Sequence, residues 1–490
     1  MAQPFILSID EGTTNTKAVA INKDGKVVAK GSRPVALYHP YPGWAEQSPL
    51  EIWHETEDAI AQCLSRLDIA DLSGISISNQ RESVLAWERS GGKPLSPLIS
   101  WQCRRTEDFC RQIAVMPKAE SLKYLTGSVL DPLFPASKIH WLLDNIDNGF
   151  ARAVNGEICV GTVDVWLVWQ LTNGKSFVTD YSNASRYQLF NLHTAQWDKE
   201  LLTLFGIPVQ CLPEIISSSG YRGETLHCSV LPDGIPIFAQ IGDSHAALYG
   251  QGGFHDGIVK ATYGTGSSLM TKSRGLSVND LTVSTTVAWH DAKLSFALEG
   301  NITHTGAALG FIAKLLSVRN VERLSEMAQS VESNQGVYFV PALAGLGAPY
   351  WDSKVRGMIC GLTDSSTPEV IARAAFESIA YQVADLFFNM EKSLGEKLGT
   401  LSVDGGPTKN EWLMQFQADL LQREIICSDI AEVSALGAAF LAGRAIGWWQ
   451  GYQALSNLPR AVTIIAPNRR SEMMVDNYML WQQAVQRARF

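Results

Sequence analysis

One layout occurs twice in this chain, half its length apart, and that repeat constrains the fold more than any other feature. FILSI (5–9) is strand-like, DEGTTNT (10–16) is a turn, and KAVAI (17–21) is a return strand. GIVKATY (257–263), GTG (264–266) and SSLMTK (267–272) repeat the pattern: strand, tight Gly/Thr/Ser turn, strand. Two related halves are therefore expected. Their boundary falls near the glycine-rich segment QGGFHDG (251–257), giving units of 1–250 and 251–490. Elsewhere SGISISN, EICVG and IPIFAQIG read as short strands among helical stretches, so the expected class is α/β.

Helix signals are clearest in the second half. Thr367 precedes Pro368 and Glu369 in the order of N-cap, first helical residue and first-turn acid. Val370, Ile371, Ala374, Ala375, Ile379 and Val383 follow at helical spacing. EWLMQFQADLLQ reads as a further helix after the turn DGGPTKN. The longest apolar run, Ala435–Trp449, is interrupted by Arg444 and falls short of the roughly 18 residues a membrane span needs. It reads as a buried helix.

Charge narrows the partners. Of the 490 residues, 40 are Lys or Arg and 49 are Asp or Glu, a net charge of −9, which disfavours binding to a nucleic-acid backbone. The N-terminus carries no basic targeting region. The eight cysteines form no Cys-x-x-Cys pair, so they read as small buried hydrophobes in a reduced, cytoplasmic compartment.

Five constellations carry candidate chemistry. In the first, Asp10 ends a strand and Gly12, Thr13, Thr14, Asn15 and Lys17 follow. A glycine turn aims backbone N–H groups at an anion, hydroxyls add donors, Lys17 adds charge, and Asp10 could hold Mg²⁺ through water. A well-capped hairpin explains the same residues. The second, Thr262–Ser268 with Thr265 and Gly266, follows the same logic and has the same plain alternative. The third is Asp243, after the strand IPIFAQI, where a carboxylate could accept a proton from an attacking hydroxyl or cap the helix that follows. His245 beside it reads as a helix-surface or packed residue. The fourth joins Arg81 and Glu82 with Trp101, and has Arg104 and Arg105 downstream: a donor fork, an acceptor pair and an aromatic face suit a polyhydroxy ligand. A surface ion pair and a core Trp are the alternative. The fifth, Val403–Asn410, places two glycines before a helix. It reads either as an approach for a flat ligand or as a simple strand–turn–helix connection.

Taken in order, DEGTTNTK, SNQRES, SWQCRRT, IGDSHAALYGQ, TYGTGSS, VDGGPTKNEWLMQFQADLLQ and VSALGAAFLAG strongly resemble the FGGY family of carbohydrate kinases, most nearly its glycerol kinases. The resemblance runs from about Phe5 to about Trp448. It implies two ribonuclease-H-like domains of the actin/hexokinase type, with ATP between them and the sugar deep in the cleft. It implies that Thr13, Thr14, Asn15 and Lys17 touch the nucleotide phosphates and that Thr265 and Gly266 form a second phosphate turn. Gly306, Gly406 and Asn410 would line the nucleotide pocket, and Asp10 would help bind Mg²⁺. Arg81, Glu82, Trp101 and Asp243 would form the acceptor site, with Asp243 as base. Homo-oligomers are common in the family. The rival readings are a true glycerol kinase, and a catalytically idle, actin-like sensor of sugar or nucleotide.

Four positions depart from the glycerol-kinase pattern. Leu133 stands for Tyr, Ser244 for Gln, Ser268 for Phe, and Gly310 for Gln near the nucleotide. Three of these lie among the expected acceptor contacts, and two of the three lose an aromatic wall. The expected acceptor is therefore a polyol or ketose larger than glycerol, of about four to six carbons. Ser268→Phe is predicted to shift acceptor preference towards glycerol in a kinetic comparison of polyols. An unchanged substrate profile would refute the size argument.

Overall fold

The computed structural model describes residues 3–278, 282–468 and 471–490. Side chains alternate between the two faces of a strand, and that parity organises both halves. In Phe5–Glu11, Phe5, Leu7 and Ile9 join one core with Ile52 and Ile60 of helix Pro49–Leu64 and Trp166 of helix Val163–Leu171. Ile6 faces the other way, into a core with Leu248 of helix Asp243–Gly250 and Leu436 of helix Val433–Ala445. The first sheet has five strands, in the order Ile237–Gly242, Leu72–Asn79, Phe5–Glu11, Asn15–Asn22, Val27–Pro34. The Phe5 strand runs parallel to Leu72–Asn79 and antiparallel to Asn15–Asn22.

The second half repeats the plan. Its seven-stranded sheet has the order Ser284–Asp291, Lys293–Ile302, Ser267–Ser273, Ile258–Tyr263, Thr400–Gly405, Ile425–Ser428, Val462–Ile465. Again a hairpin, Ile258–Tyr263 with Ser267–Ser273, lies beside a parallel strand, Thr400–Gly405. One face packs Val259, Ala261 and Tyr263 against Ile379 and Val383 of the 27-residue helix Pro368–Leu394. That helix begins as its sequence indicates, with Thr367 at the N-cap and Pro368 in the first turn, and ends at Gly395 in the left-handed conformation.

The opposite face of this second sheet turns towards the first half. Met270, Ala288, Trp289 and Ala297 share a core with Ile6, Val19 and Ile241 of the first sheet. Helix Val433–Ala445 belongs to the second half in sequence, yet it lies on the first sheet, where the Ser8 hydroxyl donates to the Ala435 carbonyl at 2.8 Å. The same helix also packs closely on the helix Asp243–Gly250, because that contact is made by glycine. A Cβ on Gly437 would strike the Ala246 carbonyl of the helix that begins at Asp243. Among the described residues, no helix is long and apolar enough to cross a membrane.

Candidate active site

The same parity decides where the acids of the first hairpin point. Asp10 continues the Ile6–Ser8 face, towards Asp243 and Glu432. Burial pushes its carboxyl up to about 6, opposed by Lys17, its cross-hairpin partner, and by the Ser78 hydroxyl. Glu11 falls on the Ile9 face, buried on the side of helix Pro49–Leu64, and among the described residues neither of its oxygens makes a regular hydrogen bond. Burial pushes this carboxyl up to about 8, and the nearby Thr16 hydroxyl offsets only part of that.

Gln80 fixes the turn after Glu11. Its Nε2 donates to the Gly12 carbonyl at 3.2 Å and to Gln47 Oε1 at 2.8 Å. Trp101 Nε1 donates to Thr13 Oγ1 at 2.9 Å, tying the sequence-predicted phosphate turn directly to the predicted acceptor site. Thr14 and Asn15 lie exposed at the tip.

Arg81 lies at the centre of the predicted acceptor residues. Its Nε is 3.3 Å from Asp243 Oδ1, and its two terminal nitrogens grip Glu299 at 2.6 and 3.0 Å. A second arginine, Arg186, holds the other oxygen contacts: Nη1 to Glu299 at 2.9 Å and Nε to Glu82 Oε1 at 2.5 Å. The result is one alternating chain, Asp243–Arg81–Glu299–Arg186–Glu82. Only its Asp243 end opens appreciably: the Asp243 side chain is 39% exposed, against 9% for Arg81 and 0% for Glu299. Burial pushes the Asp243 carboxyl up, while Arg81 and Lys260 oppose the rise. Glu299 is held well below the ordinary carboxylate range because the two arginines outweigh its burial.

Backbone details support this cluster. Glu82 has φ of +61°, a left-handed conformation that costs a residue bearing a Cβ on the order of 1 kcal/mol. The buried Lys138 amine braces this turn, donating to the carbonyls of Glu82 at 3.0 Å and Leu133 at 2.7 Å. Gly242 is needed before Asp243, because a Cβ there would lie 2.7 Å from the Arg81 side chain. Asp243 is the first residue of its helix and Gly242 its N-cap, so the carboxylate accepts from Ser244 N–H at 2.6 Å without being the N-cap residue. His245 is fully buried.

The second hairpin turn is knitted to the helix Gly306–Leu315. Gly306 N–H donates to the Gly264 carbonyl at 3.0 Å and Thr305 N–H to the Thr265 carbonyl at 3.0 Å. Tyr263 pairs with Gly405, and no side chain other than hydrogen fits at Gly405 against the Tyr263 carbonyl. Thr265, Gly266, Gly306 and Gly406 therefore gather at the ends of neighbouring strands, with open space around Gly406. Asn410 caps the helix Glu411–Leu421 through Leu413 N–H and donates to Ser325 at 2.7 Å.

These two edges correspond to two family models. Residues 5–250 match the N-terminal domain of the FGGY family of carbohydrate kinases, and residues 259–446 match its C-terminal domain. The chain is a member of the FGGY carbohydrate kinases.

Among relatives of this FGGY kinase, the apulose kinase of Pectobacterium atrosepticum is 53% identical over 491 residues, covering 100% of this chain and 99% of that one. A glycerol kinase of Bacillus mycoides is 41% identical, with 98% of each covered. The crystal structure of Plasmodium falciparum glycerol kinase with ADP superposes with a TM-score of 0.94 at 31% identity, covering 99% of this chain and 98% of that one. The protein is thus a carbohydrate kinase with the two-domain actin/hexokinase-type fold.

The sequence alone assigned no role to Glu299, Arg186, Lys138 or Gln80. Glu299 had one available signal, an acid inside the apolar strand KLSFALEGNI. Arg105, noted downstream of Trp101, is not part of the charge chain: it pairs with Glu46 at 2.6 Å and stacks on Trp44. Among the described residues, no group of three or more His, Cys, Asp or Glu could hold a metal ion.

The position of Glu11 gives a pH prediction. Its carboxyl titrates near 8 in the fold and near 4.5 when unfolded, so its neutral form is favoured by folding. Below the unfolded value both states hold the neutral acid, and the ionisation penalty vanishes. As pH rises from 4.5 towards 8 the unfolded chain ionises first and stability falls, by at most roughly 5 kcal/mol. Glu11→Gln is expected to raise the urea midpoint at pH 8 and leave it unchanged near pH 4.5. An equal effect at both pH values would contradict this.

Proposed function

We propose that this kinase transfers the γ-phosphoryl group of Mg-ATP to a hydroxyl of a small sugar or polyol of three to six carbons, apulose foremost, with Asp243 as general base. The observation that carries this reading is the partly open Asp243 carboxylate at the end of a buried charge chain, held by Arg81. The 53% identity to an apulose kinase over the whole chain supports the acceptor named.

Kinases of this family use ATP, and a related glycerol kinase structure carries ADP. The residues present suit that nucleotide. Thr13, Thr14, Asn15 and Lys17 would donate to its phosphates from one side, and Thr265 and Gly266 from the other. Gly306, Gly406 and Asn410 would line the base and ribose, where the open space at Gly406 leaves room for a flat group. Asp10 lies towards Asp243 and Glu432, with Lys17 opposite it, and would hold Mg²⁺ through retained water. When bound, the magnesium–nucleotide complex supplies an electrophilic phosphoryl group with its charge neutralised.

The chain's own groups would do the remainder. Asp243, with its proton affinity raised by burial, would accept the hydroxyl proton. Arg81 would donate to acceptor oxygens, Glu82 would receive from acceptor hydroxyls, and Trp101 would cover the carbon edge. Closure of residues 1–250 on 251–490 would exclude water as a competing acceptor.

The departures from the glycerol pattern fit a larger ligand. Ser268 shares a sheet face with Lys260, Met270 and Glu299, the face turned to the first half, and its buried hydroxyl has no partner among the described residues. A further hydroxyl of a sugar would satisfy it. Leu133 and Ser244, both half-buried, leave more room than Tyr and Gln would. Glycerol is the second reading, because Arg81, Glu82, Trp101 and Asp243 are all retained. All eight cysteines are free thiols, which suits a reduced cytoplasm.

A coupled ADP-release screen over apulose, xylulose, gluconate and glycerol tests this reading, with apulose expected to stimulate most. No stimulation by any of them would refute the acceptor class. In the same assay Asp243→Asn is expected to lower turnover by at least ~10²-fold while ADP binding is retained. Near-wild-type turnover would place the base elsewhere.

A further inference from the structure

Glu299 is the one member of the charge chain that comes from the second half of the molecule. It is fully buried and lies on strand Lys293–Ile302, paired with Met270 and Ser284. Strand parity turns it, like Ala297, away from the helix-packed core and towards the first half. There it takes both terminal nitrogens of Arg81 and one of Arg186.

We propose that Glu299 is the positioning residue of the acceptor site, setting the placement of Arg81 and, through Arg186, of Glu82. This rests on the reading of Arg81, Glu82 and Asp243 as the acceptor site.

The geometry carries the argument. Arg81 has a fork of donors to distribute between two carboxylates. Glu299 takes both ends in a bidentate grip, leaving Nε for Asp243 at 3.3 Å. Without Glu299 the guanidinium is free to turn its fork towards Asp243. Arg186 is likewise divided, between Glu82 at 2.5 Å and Glu299 at 2.9 Å, with Phe134 beneath its guanidinium at 4.9 Å. Glu82 is thus held by Arg186 on its side chain and by Lys138 on its carbonyl. A single carboxylate from the second half therefore orients two acceptor-site groups of the first.

The charged groups around Asp243 are Arg81, Lys260, Glu82 and Asp10. Those around Glu299 are Arg81, Arg186, Lys260 and the neutral His245. Removing the Glu299 charge takes away a negative neighbour and releases Arg81 towards Asp243. Both changes favour the ionised form of Asp243 and make it a weaker base, so its titration moves to lower pH.

The test uses the full-length enzyme, ATP, and apulose and glycerol as acceptors, across a pH series. Glu299→Gln is expected to raise acceptor KM at least ~10-fold, from a displacement of about 1 Å at the site, with ATP KM unchanged. The acid limb of kcat/KM should move down by about half a pH unit or more. Glu299→Asp keeps the charge but shortens the reach. It is expected to raise acceptor KM while returning the acid limb to its wild-type position. A merely structural role would lower the thermal midpoint and leave both the KM split and the acid limb unmoved. That result in the folded Gln variant overturns the proposal. If the Gln variant does not fold, an unchanged acceptor KM in Glu299→Asp overturns it. Should the wild-type enzyme phosphorylate neither sugar nor glycerol, the acceptor reading has failed instead. The crystal structure of Glu299→Asp then decides this inference: displaced Arg81 and Glu82 side chains support it, and unmoved ones overturn it.

Discussion

A carboxylate with no access to water, Glu299, is shared by two arginines from the other half of the chain, and the site is arranged around that contact. Leaving any one of these charges buried and unpaired costs several kcal/mol, so the members hold one another in register. Such a chain is weak grounds for extra stability, because apolar side chains of equal volume often serve as well. Its use here is specificity of placement. The chain ends at one partly open carboxylate, Asp243, and that end is where the proposed transfer needs a proton acceptor.

The architecture gives that end its location. Each half brings a hairpin and a parallel strand, and the strand ends carry Asp10 and Asp243 in the first half, and Tyr263 and Gly405 in the second. Crevices at the carboxyl ends of parallel strands are where α/β sheets bind ligands. Helix Val433–Ala445 crosses from the second half onto the first sheet, with Gly437 allowing near-contact with the helix of Asp243. The apolar core beneath the site is therefore continuous between the halves, and the polar chain lies along its edge.

Much of this was legible in the sequence, for physical reasons that differ by residue. The two hairpins could be read because turn chemistry is local: DEGTTNT and GTG need little beyond their own glycines and hydroxyls. The start of the long helix could be read from Thr367, Pro368 and Glu369 for the same reason. Asp243 and Arg81 could be named because strand-end positions in an α/β sheet face the crevice. Glu299 and Arg186 could not. Their roles depend on which face of a strand meets a distant segment, and on pairing across 218 residues in the case of Arg81 and Glu299. The crossing of helix Val433–Ala445 was hidden likewise, since an apolar helix does not announce which sheet it covers. The separation of Asp10 from Glu11 needed only strand parity, but its meaning needed the two cores.

The central claim is spatial: an acceptor hydroxyl sits on Asp243 while its neighbours meet Arg81 and Glu82. A crystal structure of the enzyme with ADP and apulose tests it most directly. The account predicts one sugar oxygen within about 2.6–3.2 Å of the Asp243 carboxylate, and others bonded to Arg81 and Glu82. A sugar bound with no oxygen near Asp243, or one held away from the Arg81 fork, would contradict it.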